Sequence, residues 1–187
     1  MSFQVNFELS TPDLDRFYQA MLRIRDRAHG KSTQQITENA TQLLQEVERS
    51  DSTEFIRGHM RQLEMLIRMA TYEGWALKGE DLDRVLTALT YFCEPADLIP
   101  DSTPALGFLD DAIMIEIVCD ELEPELQAYH DFVVFRDAEA ARIGADAMNL
   151  QKADWLEEKR KQLHSRMRRR RKNGSNGRKI KSPFALI

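Results

Sequence analysis

The chain has 187 residues with a formal net charge of −5, 42% hydrophobic and 30% charged residues, and only eight glycines, six prolines and two cysteines. That length allows one domain with a real core, or one domain with an appendage, and so few helix breakers suit helices joined by short connections. No apolar run approaches the roughly 18 residues of a spanning helix, no Cys/His spacing offers structural zinc, and the GxGxxG, P-loop, HExxH and GxSxG motifs are all absent.

The net charge conceals a segregation. Residues 159–187 hold twelve Lys or Arg and no Asp or Glu, which leaves 14 bases against all 31 acids, a charge of −17, in residues 1–158. An acidic body with a basic end is a statement about partners rather than about fold.

In chain order, residues 1–10 alternate apolar and polar (Phe3, Val5, Phe7, Leu9) and read as an extended arm, because a single strand has no partner here. They lack the basic-then-apolar build of a secretory signal. Thr11-Pro12 opens a first helix that Gly30 ends. Ser32 to Gln35 reads as a capping box before a second helix facing inward with Ile36, Ala40, Leu43, Leu44 and Val47. A third helix starts near Ser52 or Thr53, with Phe55, Ile56, Met60, Leu63, Leu66, Ile67 and Ala70 at helical spacing. Trp75 is expected to anchor its end in the core.

A fourth helix is predicted from about Glu80 to Phe92, with the stripe Leu82, Val85, Leu86, Leu89, Phe92 and Cys93; Pro95 stops it. A fifth begins near Phe108–Asp110 and reaches Leu122. At about 100° per residue its Glu116, Asp120 and Glu123 share one stripe, opposite Met114, Ile115, Val118, Cys119 and Leu122. Pro124 fits the first turn of a sixth helix carrying Leu126, Tyr129, Val133 and Ala140 or Ile143, with Gly144 as a kink. A last helix, Asn149 to about Arg171, carries Trp155, Leu163 and Met167, and Asn173 to Gly177 reads as flexible. The expected fold is therefore all-α: a compact bundle of six or seven helices around the central hairpin 82–122. An arm (1–10), a helical domain (11–158) and a basic helix end with a flexible tail (159–187) divide the chain.

Asp97, Asp101, Asp110, Asp111 and Glu116 lie within twenty positions of one another. Oxygen-rich groups of this kind hold hard cations such as Mg²⁺ or Ca²⁺, but Asp beside Pro is also ordinary turn chemistry, and Asp111 in a first turn meets free N–H groups and the helix dipole. The turn-and-cap reading is preferred, and no cofactor is required. Cys93 and Cys119 flank the loop symmetrically and read as small buried hydrophobes, with a redox pair as the alternative. Free thiols also suit a reducing cytoplasm.

The stretch Tyr91-Phe-Cys-Glu-Pro-Ala-Asp-Leu-Ile-Pro-Asp101, followed by Pro104-Ala-Leu-Gly107 and Leu109-Asp-Asp111, resembles the core motif of the YkvA-like family. The resemblance implies that Pro95, Asp97, Asp101, Gly107, Asp110 and Asp111 are signature positions. It implies no activity, since the family is a bacterial domain of unknown function. Many members look like membrane proteins with the motif between two apolar helices. This chain departs from them, because Glu116, Asp120 and Glu121 interrupt one helix while Thr87 and Thr90 dilute the other.

The basic end is dominated by Arg166, Arg168, Arg169, Arg170, Arg171 and Lys172. Guanidinium forks grip phosphates, so RNA, DNA or the ribosome is the expected partner. Two alternatives are an anionic membrane surface, reached through the tail and the apolar hairpin, and the acidic body of the same chain. The four histidines are scattered and read as surface or helix-end residues. The sequence thus describes a binding or adaptor protein rather than an enzyme, cytoplasmic or peripheral at a membrane.

Overall fold

The computed structural model describes residues 30–91, 108–144 and 154–175, together with positions 10–13, 15, 16 and 19 near the N-terminus. Positions 11–13, 15, 16 and 19 are helical, and among the described residues six further helices follow in order: α1 (Thr33–Arg49), α2 (Glu54–Thr71), α3 (Glu80–Tyr91), α4 (Leu109–Glu121), α5 (Glu123–Ile143) and α6 (Asp154–Ser175). The protein is all-α, and among the described residues no strand is present.

The helix starts follow side-chain chemistry. Gln35 N donates to Ser32 Oγ at 3.2 Å and Ser32 N donates to Gln35 Oε1 at 2.8 Å, which completes the capping box that opens α1. Thr53 Oγ1 accepts from Ile56 N at 3.3 Å and opens α2. Leu122 alone separates α4 from α5, and Pro124 occupies the first turn of α5, where its missing N–H costs nothing.

Helix α2 lies at the centre, packed against α1, α3, α4 and α5. Its buried stripe is Ile56, Met60, Leu63, Leu66 and Met69. Both arms of the sequence-predicted hairpin, α3 and α4, lie along it. Helix α4 is buried nearly all round: Ala112, Met114, Ile115, Ile117, Val118 and Cys119 are inside, whereas Glu116 and Asp120 form its exposed stripe. Trp75, fully buried, closes the end of α2. Its ring centroid lies 5.6 Å from that of Tyr129, 5.0 Å from Phe132 and 4.3 Å from His164. One indole thus ties α5 and α6 to the loop after α2, with the tilted and edge-on geometries that aromatic pairs favour.

Three local expectations are corrected. Phe55 is 53% exposed, because it sits on the first turn of α2 at the margin of the packed face; of the alternatives Ala140 and Ile143 on α5, Ala140 is the buried one. Phe55 covers the His59 ring instead, at 4.4 Å. Gly144 does not kink α5 but ends it, in the left-handed conformation (φ 68°) that glycine adopts without strain. Helix α6 runs through Asn173 and Gly174 to Ser175; extending a helix already anchored as far as Arg171 is far easier than starting one.

Candidate polyanion-binding helix

Helix α6 carries the basic end, and its chemistry depends on which face each base occupies. Leu156, Leu163 and Met167 are its buried seam against α5. Trp155 packs edge-on to Phe135 at 5.8 Å, and Lys159 Nζ stands 4.9 Å above the same ring. Arg160 Nη1 donates to the Gly74 carbonyl at 3.0 Å, tying the helix to the loop that holds Trp75.

Three of the six bases singled out in the sequence are engaged by acids of the same chain. Arg166 pairs with Asp131 of α5, and that bond is the first reason the Asp131 carboxyl lies below its ordinary pKa. Arg168 Nε donates to Asp81 Oδ2 at 2.8 Å. Arg171 Nη1 donates to Asp81 Oδ1 at 2.9 Å and to Glu125 Oε1 at 3.1 Å, while its Nη2 reaches Glu80 Oε1 at 3.3 Å. Arg84 of α3 donates from Nε to the same Glu125 Oε1 at 2.9 Å. Glu125 is 0% exposed, Asp81 3% and Arg84 5%, so this is a buried ionic cluster joining α3, α5 and α6.

An isolated carboxylate at such a site is very costly, and the guanidinium groups of Arg84 and Arg171 are what make it tolerable. Among the described residues Glu125 Oε2 has no hydrogen-bond partner, which itself costs about 1–3 kcal/mol. The cluster therefore contributes orientation more than net stability: it fixes where α6 lies. The remaining three bases, Arg169, Arg170 and Lys172, are exposed, and among the described residues no acid pairs with them.

Of the motif positions, Pro95, Asp97, Asp101 and Gly107 lie outside the described residues, as does Cys93. Asp110 and Asp111 fall in the first turn of α4, whose N-cap, Phe108, has φ 64° and offers no side-chain cap. Asp111 is partly buried there. Among the described residues, no group of three or more His, Cys, Asp or Glu is arranged to hold a metal ion. Cys119 is buried, and its thiol is pushed up to about 12 by that burial and then by Glu116, which leaves it protonated and unreactive at neutral pH. His164, packed edge-on against Trp75, is pushed down to about 4 by burial and then by the nearby Arg168 charge.

The ionic cluster was missed in the sequence for a specific reason. The buried stripe of α3 is Asp81, Arg84, Val85, Ala88 and Leu89, and that of α5 includes Glu125, Ala128, Tyr129, Phe132, Arg136 and Ala140. Both have perfect helical spacing, but each begins with charged residues, and a search for apolar residues alone settles one position off the true face. Opposite charges standing in register with an apolar stripe were the available signal.

A family model described as "Protein of unknown function (DUF1232)" matches residues 84–117, from Arg84 on α3 through the connection into α4. No curated protein and no solved structure matches the chain. Among the described residues, no helix is long and apolar enough to cross a membrane.

Two outcomes follow from the cluster and its neighbour. Replacing Glu125 by Gln removes the buried carboxylate that Arg84 and Arg171 share, with Asp81 and Glu80 still facing Arg171, and urea unfolding at pH 7 is expected to show a loss of about 3–5 kcal/mol, against less than about 0.5 kcal/mol for Arg169→Gln on the exposed face. His164 takes up a proton in the unfolded chain near the ordinary histidine value of 6.5 but in the folded protein only near 4, so stability falls as pH drops from 6.5 toward 4. His164→Phe is expected to flatten that part of the profile, as read from unfolding midpoints measured across the range for both proteins.

Proposed function

We propose that this is a non-enzymatic binding protein in which α6 presents a cationic face to a nucleic-acid backbone. The observation that carries the reading is the division of labour along one turn and a half of helix. Arg166, Arg168 and Arg171 are held by Asp131, Asp81, Glu125 and Glu80, while Arg169, Arg170 and Lys172 face solvent. A helix anchored by one set of bases offers the other set at fixed spacing, so less side-chain and backbone freedom is lost on binding. Arginine forks suit phosphate oxygens. Arg178, Lys179 and Lys181 follow in the sequence and extend the same charge. Aromatic side chains for base stacking are scarce in this segment, with Phe184 alone after Trp155, so the expected binding is to the backbone and insensitive to base sequence.

The motif from Tyr91 to Asp111 supports a finer family reading of the matched stretch as YkvA-like. In this reading the stretch is scaffold: it supplies Arg84 to the cluster and the buried helix α4 to the core.

The test is fluorescence anisotropy with short duplex RNA and duplex DNA over a salt series, with anionic vesicles as a competing surface. The triple change Arg169→Glu, Arg170→Glu and Lys172→Glu is expected to weaken binding at least tenfold and to reduce the slope of log affinity against log salt by roughly 2.7, as loss of three phosphate contacts requires. Equal affinity of wild type and variant for both duplexes would refute the proposal, as would binding confined to the vesicles.

A further inference from the structure

A second site lies away from α6. Between α2 and α5 the surface opens into a cavity of about 680 Å³, within the roughly 300–1,000 Å³ typical of small-ligand sites. Its apolar lining is the rings of Tyr72 and Tyr129 with Met65 and Val133. Its rim is cationic, with Arg61, Arg68 and Arg136 against one lining carboxylate, Glu64. These three guanidinium groups line one cavity in a body whose residues 1–158 carry −17 overall.

The three arginines differ in how they are held. Arg136 is 8% exposed and lies over the Tyr72 ring at 5.0 Å. Its Nε and Nη2 both donate to Asp137 Oδ1 at 2.7 Å, and Tyr72 is its second partner. Arg68 pairs with Glu64 one helical turn away at 2.7 Å, and Arg61 reaches Glu54 only at 3.9 Å. The side chains of Arg61 and Arg68 are 70% and 69% exposed. Solvent-exposed pairs of this kind are weak, so an incoming anion exchanges with their carboxylates at little cost. Arg136, preset by its stack on Tyr72, provides the fixed point.

We propose that this cavity binds a small organic anion with a flat apolar body, its carboxylate or phosphate on the arginine rim and its ring between Tyr72 and Val133. The loop after α2 shapes the floor. A Cβ at Gly74 would come within 2.6 Å of the Tyr72 ring, so glycine at this position is what lets the ring lie where it does.

The experiment titrates the full chain with 1-naphthyl phosphate, 1-naphthoate and neutral 1-naphthol, read by amide chemical shifts. Saturable one-to-one binding of either anion is expected, with shifts clustered at Arg68, Thr71, Tyr72, His130 and Val133 and with affinity at least tenfold above that of naphthol. Arg61→Glu with Arg68→Glu, both on exposed positions that spare the core, should abolish that preference, and Gly74→Ala should weaken both anions by displacing Tyr72. Arg169→Glu should leave them unchanged, which separates this site from the one on α6. Naphthol binding as tightly as the anions, shifts confined to α6, or no saturation by either anion would overturn the proposal.

Discussion

A carboxylate with no solvent contact governs this architecture. Glu125 sits in the first turn of α5 at 0% exposure and accepts from Arg84 and Arg171 on one oxygen. Charge in such a place requires counter-charge within hydrogen-bonding reach, and the two donors come from α3 and α6. The requirement therefore sets the positions of three helices at once. Asp81 extends the arrangement by taking Arg168 and the same Arg171 nitrogen. Apolar contacts supply most of the driving force for folding, but Leu156, Leu163 and Met167 alone would leave the axial position of α6 loosely defined. The ionic contacts are directional and fix that register.

The surface of α6 takes its meaning from this arrangement. Were all the bases of 166–172 free, the segment would be a generic cationic tail. With Arg166, Arg168 and Arg171 turned onto the body, the acidic surplus of residues 1–158 is partly neutralised where α6 docks, and the free cations are ordered on the outer face. The family-matched stretch begins at Arg84, a member of the buried cluster, and ends within the buried helix α4. The described parts of that stretch, 84–91 and 108–117, thus contribute to the interior rather than to the exposed cationic face.

Much of the fold was legible in the sequence because its signals were local. Ser32 and Gln35 announced a capping box, Ser52 or Thr53 a helix start, and Pro124 a first turn, and each forms where expected. The polar stripe Glu116 and Asp120 on the otherwise buried helix α4 was read from angle alone, and Glu123, placed on the same stripe, opens α5 instead. What was not legible depended on distant partners. Glu125 and Arg84 are 41 positions apart, and no local rule says that a glutamate in a first turn, where the helix dipole welcomes it on the surface, will instead face the core. Arg136 was hidden in the same way, since its place on the buried stripe of α5 is explained by Tyr72 from a different helix end. The basic charge of the helix was plain in the sequence, but which of its cations are committed inside the molecule required the packing of α6 on α3 and α5.

The central claim, that buried ion pairs make α6 an integral part of the cooperative core, is tested most directly by native-state amide hydrogen exchange. The account predicts that amides of α6 from Leu163 to Arg171 exchange only through global unfolding, with the same opening free energy as those of α2 around Leu63 and Leu66. Rapid exchange along Leu163–Arg171 while α2 stays protected would contradict it.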